Sequence, residues 1–234
     1  MHYPRNDEAN RRATCNLPEG VAWHEGISCE RLRQCLQARL SEPLPGPMVG
    51  SKYEPFPTLG RHYGAAPENA RRAAVLILLY PHAGRWWIPL TVRSATLPDH
   101  PGQISLPGGA IEQEESPETA AEREYREELG EFAKAVHVGR LSPIYVDASN
   151  FRVFPCVAVT DERPALIPNP AEVAEVLEVP VGHLIDERSL SYHRRKYKGR
   201  EYRAPHFQWH DHRIWGATCM ILGELVSVLR DMQP

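Results

Sequence analysis

The sequence lacks an apolar run long enough to cross a bilayer. Its longest run covers residues 73–80, whereas a membrane-spanning helix needs about 20 apolar residues. Residues 1–12 also lack the apolar stretch that a secretory signal requires. We therefore expect a soluble, cytoplasmic protein without a membrane partner.

Cysteine is scarce, and its spacing does not favour a structural role. The five cysteines are Cys15, Cys29, Cys35, Cys156 and Cys219, and none forms a CxxC pair. An odd number at such spacings argues against a disulfide framework or a four-cysteine zinc site. Free thiols in a reducing compartment are the expectation.

A large excess of charge of either sign is missing too. The 27 basic and 30 acidic residues leave a formal charge of −3, which gives no broad electrostatic case for nucleic-acid binding. Hydrophobic residues make up 42% of the 234-residue chain, enough to bury a core. The 22 prolines predict long ordered loops.

The chain divides into three parts. Residues 1–22 are polar and predict a flexible tail, and residues 23–70 predict an N-terminal helix followed by a Pro-rich extension. Ser28 is the predicted cap of that helix, which should run to about Leu40. Residues 71–232 hold the remaining pattern and form the predicted catalytic domain.

Within this domain, strands and helices alternate. The apolar patterns predict strands at 73–80, 86–93, 135–145, 151–159, 172–179, 190–197 and 201–209, an extended piece at 103–106, and helices at 117–129, 181–185 and 214–229. Ser116 and Gly130 are the predicted cap and stop of the second helix. We expect Trp215 to lie in the last helix and pack in the core. The order predicts an α/β fold, an α/β/α sandwich around a mixed sheet.

Three glutamates stand on one face of the predicted helix 117–129. Glu124, Glu127 and Glu128 follow the spacing i, i+3, i+4, so their carboxylates converge and repel one another. A hard divalent cation such as Mg²⁺ would relieve that repulsion. The alternative is a solvated acidic helix face, because glutamate-rich helices are common. Arg123 follows Glu115 by eight residues, and a charge pair between them would tie the preceding loop to the helix.

The joint pattern from Gly109 to Gly130 is more specific than these glutamates alone. It reads glycine, five residues, Glu115, seven residues, Arg123-Glu124, two residues, Glu127-Glu128, one residue and glycine. This pattern resembles the signature of the Nudix hydrolase family. Tyr125 replaces the usual aliphatic residue, and Glu131 replaces an apolar one, a role that Phe132 can fill.

The resemblance implies a Nudix-type α/β/α sandwich and the hydrolysis of a nucleoside diphosphate derivative with Mg²⁺ or Mn²⁺. It implies that Glu124, Glu127 and Glu128 bind the metal with the backbone carbonyl of Gly108. Glu115 and Arg123 become a structural pair. The base that activates water differs among members, so Glu127 and Glu128 both remain candidates.

The segment before the glycines resembles a second motif. Residues 90–109 are similar to the extra motif of the coenzyme A pyrophosphatase branch of the family, with Pro89 and Leu106 as departures. Residues 149–155, 172–176 and 212–218 resemble later parts of that branch, so the likeness covers roughly residues 70–230. It implies a small nucleotide substrate such as coenzyme A or acyl-coenzyme A, with no nucleic-acid partner, and leaves a homodimer open.

Four residues of this segment are candidate substrate contacts. Arg93 suits a phosphate clamp, because a guanidinium binds phosphate oxygens in a fork, although it could instead brace the loop. His100 could bind phosphate or fix the loop, Gly102 could let the backbone approach a ligand or permit a turn, and Gln103 is a polar contact.

Two clusters lie further along. The basic run between residues 194 and 203 predicts a solvated hairpin, with anion binding as the alternative. His206, His210 and His212 could suggest zinc, but on a strand His206 and His210 face away from Phe207 and Trp209. Other interpretations of the whole chain are a Nudix hydrolase of ADP-ribose, NADH or a dinucleoside polyphosphate, and a module that senses a nucleotide without hydrolysing it.

Overall fold

The computed structural model describes residues 26–46, 52–57, 66–96, 101–132, 134–197 and 199–232. The predicted tail, residues 1–22, lies outside this part of the chain. The helices are α1 (Cys29–Leu40), α2 (Pro117–Leu129), α3 (Val181–Ile185) and α4 (Ala217–Asp231). The strands are β1 (Arg71–His82), β2 (Arg85–Arg93), β3 (Ile104–Ser105), β4 (Gly108–Ala110), β5 (Ala135–Arg140), β6 (Ile144–Val146), β7 (Phe151–Thr160), β8 (Val173–Pro180), β9 (Leu190–Tyr197), β10 (Arg200–Trp209) and β11 (His212–Trp215).

Strand β1 lies at the centre of a mixed eight-stranded sheet. It pairs antiparallel with β2 and β4 and parallel with β7. The order along the sheet is β3-β2-β1-β7-β5, with β6 beside β7 and β8 beside β2. Strands β9, β10 and β11 form a separate antiparallel sheet in the order β11-β10-β9.

The residues of β1 alternate between two hydrophobic layers, because successive side chains of a strand point to opposite faces. Leu76 and Leu78 pack in the cluster that includes Tyr125 and Leu129 of α2. Ile77, by contrast, lies in the cluster built with α1 and α4. Helices therefore cover both faces of the mixed sheet, and the predicted α/β/α sandwich is confirmed.

The N-terminal helix and the segment that follows it are fastened to the domain. Helix α1 begins after Ser28, whose side chain accepts a hydrogen bond from the backbone N–H of Arg31 at 3.3 Å. The carboxylate of Glu224 in α4 is buried and accepts hydrogen bonds from the backbone N–H groups of Gly46 at 3.1 Å and Ser142 at 3.0 Å. Because burying a charged group without hydrogen bonds is costly, these two bonds fix the start of the Pro-rich segment against α4.

The predicted start of the last helix was wrong. The helix begins at Ala217, and Trp215 lies on β11, where it pairs with His206 of β10. Gly216 has φ 71°, a left-handed conformation that separates the strand from the helix. Ile214 is buried, as its apolar character predicts, but from a strand.

Two smaller expectations also need correction. The predicted strand 135–145 is two strands, β5 and β6, which meet β7 separately. Cys35 is disulfide-bonded, whereas Cys29, Cys156 and Cys219 are free. An odd number of cysteines without a CxxC pair does not exclude a single disulfide bond. Among the described residues, no helix has the length and apolar content required to cross a membrane.

Candidate active site

Helix α2 has the predicted bounds and the predicted caps. The side chain of Ser116 accepts a hydrogen bond from the backbone N–H of Thr119 at 3.1 Å, and Pro117 occupies the first turn. Gly130 ends the helix with φ 81°. The ring of Tyr125 is fully buried and meets Phe132 edge to face at 4.9 Å, so Phe132 supplies the apolar contact that Glu131 cannot make.

The two glycines of β4 bring its backbone close to its neighbours. Gly109 pairs with Ala74 of β1, and a Cβ atom at Gly109 would overlap the carboxylate of Glu124. Gly108 has φ 153°, and a Cβ there would overlap the backbone of β1. The absence of side chains at these positions lets the carboxylate of Glu124 lie directly on the strand.

Glu128 is the most buried acidic side chain of the site. Only 3% of it is exposed, and its Oε2 atom has no hydrogen-bond partner in the described structure. Burial raises the pKa of this carboxyl to about 8, while the charge of Arg93 acts in the opposite direction. Burial likewise raises the pKa of Glu124. Both carboxyls are held where a negative charge is unfavourable without a nearby cation.

Arg123 connects the helix to the loop before it. Its Nε donates to Oε1 of Glu115 at 2.9 Å, and its Nη2 donates to Oε2 of Glu115 at 3.1 Å and to the carbonyl of Ala110 at 3.0 Å. Its Nη1 donates to Glu124 at 2.9 Å and lies 3.4 Å from both carboxylate oxygens of Glu127. The structure thus pairs Arg123 with Glu115, and hydrogen bonding to Arg123 lowers the pKa of Glu115.

The three glutamates fit a divalent metal in chemistry, although not in their present arrangement. Carboxylate oxygens are ligands that Mg²⁺ and Mn²⁺ accept, and the unpartnered oxygen of Glu128 is available. However, Glu127 is half exposed and lies against Arg123, and no three acidic, histidine or cysteine side chains in the described ranges are arranged to hold a metal as they stand. A metal would therefore require Glu127 to move away from Arg123.

The candidate substrate contacts lie at one end of β2. Arg93 is close enough to Glu128 for its charge to affect that carboxyl. Its backbone N–H donates to the carbonyl of Gln103 at 2.9 Å, and its carbonyl accepts from the N–H of Gly102 at 3.0 Å, so these bonds close the loop between them. Gly102 has φ 70°, which accounts for a glycine in the turn. His100 lies outside the described residues.

One acidic residue was not predicted as part of the site. The charge of Glu172 helps to raise the pKa of both Glu124 and Glu128. Its carbonyl accepts a hydrogen bond from the N–H of Ser94 at 2.8 Å, just beyond Arg93. The pairing of β8 with β2 brings Glu172 here, and a single sequence does not reveal which strands are neighbours.

Among the described residues, the histidines of the second sheet belong to no group of side chains that could hold a metal ion. His206 uses both ring nitrogens, one toward His193 and one toward Gln208, each at 3.1 Å. His212 lies 3.4 Å from Glu175. The basic run follows the predicted hairpin, since β9 and β10 pair with Arg194 opposite Arg203.

Comparison with known protein families gives a match over more than half of this chain. The model of the NUDIX domain matches residues 70–199, a range that includes the glycines of β4, all of α2 and Arg93. The chain belongs to the Nudix hydrolase family. Nudix hydrolases generally act on small nucleotide substrates with divalent metal ions such as Mg²⁺ or Mn²⁺.

Three relatives show how far the similarity extends. The chain is 35% identical to "Uncharacterized Nudix hydrolase NudL" of Photorhabdus laumondii over 68% of this chain and 86% of that protein. It is 31% identical to "Nudix hydrolase 15, mitochondrial" of Arabidopsis thaliana over 70% of this chain and 60% of that protein. It is 36% identical to "Mitochondrial coenzyme A diphosphatase NUDT8" of Homo sapiens over 64% of this chain and 65% of that protein. The matched region is thus less than two thirds of the plant and human proteins.

A solved structure is similar over half of this chain. RenU, a Nudix hydrolase from M. smegmatis, is 27% identical and covers 50% of this chain and 74% of its own, with a TM-score of 0.39. A TM-score of this size carries no argument about the site or the substrate.

Proposed function

We propose that this Nudix hydrolase cleaves the diphosphate linkage of coenzyme A or acyl-coenzyme A. The products would be 3′,5′-ADP and 4′-phosphopantetheine or its acyl form. The observation that carries the metal-dependent reaction is the buried carboxyl of Glu128, which has an unpartnered oxygen and lies near both Glu124 and Arg93. The choice of coenzyme A is supported by the motif at residues 90–109 and by the name of the human relative.

Each side chain has a distinct role in this proposal. Glu124, Glu127 and Glu128 would hold the metal, with the Gly108 carbonyl as a further donor. A bound divalent cation would neutralise charge on the diphosphate and acidify a water molecule. Arg93 would bind phosphate oxygens with its guanidinium.

The proton of the attacking water needs a carboxylate acceptor. Glu127 and Glu128 were the candidates from the sequence, and the position of Glu172 adds a third. Glu127 is the most exposed of the metal-binding glutamates, and Glu172 lies near the pair of buried carboxyls. Separate glutamine variants at these positions, compared by the pH profile of kcat, would identify the base.

A panel of substrates tests the specificity. Purified protein with Mg²⁺ or Mn²⁺ is assayed against coenzyme A, acetyl-coenzyme A, ADP-ribose, NADH and a dinucleoside polyphosphate, with products separated by mass. We expect the highest kcat/KM for coenzyme A or its acetyl form, and cleavage within the diphosphate. If coenzyme A is the poorest substrate, the specificity is wrong, and hydrolysis of another nucleoside diphosphate derivative becomes the function.

The same panel separates an enzyme from a nucleotide-sensing module. A sensing module would bind a nucleotide, measured by calorimetry, without turnover in any arm of the panel. Intact glutamates at all three positions favour the enzyme. The cytoplasmic location, the homodimer and the absence of a nucleic-acid partner remain predictions.

A further inference from the structure

One face of the three-stranded sheet carries a group of imidazole, guanidinium and indole side chains. The register places His193 and Arg195 of β9, His206 and Gln208 of β10, and Arg213 and Trp215 of β11 on this face. We call it the imidazole face. The opposite face carries Leu190, Phe207 and Ile214, which pack in the main hydrophobic cluster.

The hydrogen bonds of the imidazole face fix where its protons lie. The side-chain nitrogen of Gln208 donates to the carbonyls of His210 at 2.6 Å and His212 at 3.0 Å, so its oxygen faces Nε2 of His206 at 3.1 Å. Nε2 of His206 must therefore donate. A neutral His206 then accepts at Nδ1, and the donor is Nδ1 of His193, 3.1 Å away.

The other nitrogen of His193 is left with a lone pair. Burial, His206, Arg213 and Arg195 lower the pKa of His193 to about 4, against a hydrogen bond to the backbone of Ala204 that acts in the opposite direction, so the ring is neutral at pH 7. With the proton on Nδ1, Nε2 is an acceptor, and none of the described residues donates to it. The edge of this ring also meets Trp215, with centroids 6.0 Å apart.

Two guanidinium groups lie on the same face of the sheet as this imidazole. Arg195 lies over the indole of Trp215 at 3.9 Å, and Arg213 is exposed on the neighbouring strand. Neither arginine forms an ion pair with an acidic side chain in the described ranges, although 14 other ion pairs are present there. Arg195 and Arg213 therefore offer hydrogen-bond donors, and Nε2 of the neutral His193 offers one acceptor. A single ligand can use all three groups.

We propose that the imidazole face binds a phosphate group through Arg195, Arg213 and Nε2 of His193. Guanidinium groups bind phosphate oxygens in a fork, and a protonated phosphate donates its O–H to the imidazole lone pair. Sulfate carries no proton at neutral pH and lacks that donor. The arrangement therefore favours phosphate over sulfate, which charge alone would not do.

The position of this face suggests which phosphate it takes. β11 is followed by Thr218, whose hydroxyl donates to the carbonyl of Ile104 on β3 at 3.1 Å, and Ile104 precedes Gly108 by four residues. If the proposed function holds, the phosphate is the 3′-phosphate of the substrate. If it does not, the ligand is a separate phosphate or phosphorylated metabolite bound beside the site.

The first experiment measures phosphate binding without turnover. The full chain, in EDTA and at constant ionic strength, is titrated with inorganic phosphate or sulfate, and the imidazole nitrogens are followed by NMR. We expect saturable binding that perturbs His193, an affinity for phosphate several-fold above that for sulfate, and a loss of about tenfold in Arg213→Gln and Arg195→Gln. Among the described residues, Arg213 lies over no aromatic ring, so its variant avoids the stacking contact of Arg195.

Lys196→Gln is the matched control, since it removes one positive charge from the residue next to Arg195, on the opposite face of β9. Lys196 is exposed. Its loss should change phosphate affinity by less than twofold. Absence of saturable binding, equal affinity for sulfate, or an equal loss in Lys196→Gln would overturn the proposal.

A second arm identifies the source of the phosphate. The ratio of kcat/KM for coenzyme A to that for 3′-dephospho-coenzyme A is measured in the wild type and in Arg213→Gln. A ratio that falls about tenfold supports the 3′-phosphate of the substrate, and an unchanged ratio with lost phosphate affinity supports a separate ligand. Because the first arm needs no hydrolysis, it stands even if coenzyme A is not the substrate.

Discussion

The carboxyls of α2 and the imidazoles of the second sheet show one physical effect with opposite signs. Burial raises the pKa of Glu128 and lowers that of His193, and in both cases it opposes the charged form. Glu128 has an unpartnered oxygen and is near other carboxylates, so it suits a cation. His193 has an unpartnered nitrogen near guanidinium groups, so it suits an anion. Under the two proposals above, the buried carboxyls of α2 would bind the metal and the imidazole face would bind a phosphate group.

To sharpen this comparison, the first variant changes Arg93, which lies near the buried carboxyl of Glu128. Arg93→Ala should lower kcat/KM by about 10- to 100-fold, because a charge-assisted contact to phosphate contributes roughly 1.5–3 kcal/mol. Steady-state kinetics and thermal melting of the same samples check it.

A stability loss with normal kinetics at Arg93 would instead favour its bracing role. Arg126→Ala is a control, since Arg126 pairs with Glu122 and Glu131 on the outer side of α2. Kinetics of that variant should match the wild type.

The next prediction concerns the contacts by which Arg123 joins α2 to the loop before it. Arg123→Lys keeps the charge but loses the forked contact with Glu115 and the bond to Ala110. We expect the free energy of unfolding to fall by about 2 kcal/mol, measured by urea denaturation. A change below about 0.5 kcal/mol would show that the fork does not hold the loop.

The sequence alone predicts the acidic helix well and the second sheet poorly, for a physical reason. Glu124, Glu127 and Glu128 lie within one helical turn, and the spacing that brings them together is local. The imidazole face joins His193, His206 and Arg213 from three strands, and only the register of pairing places them together. For the same reason, the sequence does not predict that Glu172 lies at the site, where the pairing of β8 with β2 brings it. The sequence also does not predict β11, because its short apolar segment resembles the first turn of a helix.

A smaller effect concerns the buried side of α2. The hydroxyl of Tyr125 is buried with no hydrogen-bond partner in the described structure, so Tyr125→Phe should raise the free energy of unfolding by about 1 kcal/mol. Tyr80→Phe is the matched control, because the hydroxyl of Tyr80 donates to Glu178 at 2.6 Å. That variant should lose stability, and two changes of the same sign would contradict the assignment.

An effect of similar size tests the imidazole face by pH. The unfolded chain binds a proton at His193 near pH 6.5, but the folded chain does so only near pH 4. Between these values the unfolded state binds more protons, so stability is full above pH 6.5 and falls as the pH drops toward 4. Between pH 7.5 and pH 5, we expect the free energy of unfolding to fall by about 1 kcal/mol more in the wild type than in His193→Gln. This value allows for the partial exposure of the ring. Parallel losses in the two proteins, measured by urea denaturation, would show that His193 keeps an ordinary pKa.

Binding of Mn²⁺ to the glutamates of α2 tests the central claim most directly. Calorimetry or paramagnetic resonance of the wild type is compared with Glu128→Gln and with Glu131→Gln, a glutamate two residues beyond α2 that pairs with Arg126. The account predicts saturable Mn²⁺ binding and metal-dependent hydrolysis in the wild type and in Glu131→Gln. Both should fall at least 100-fold in Glu128→Gln, in a protein that remains folded. Unchanged Mn²⁺ affinity and turnover in folded Glu128→Gln would contradict it.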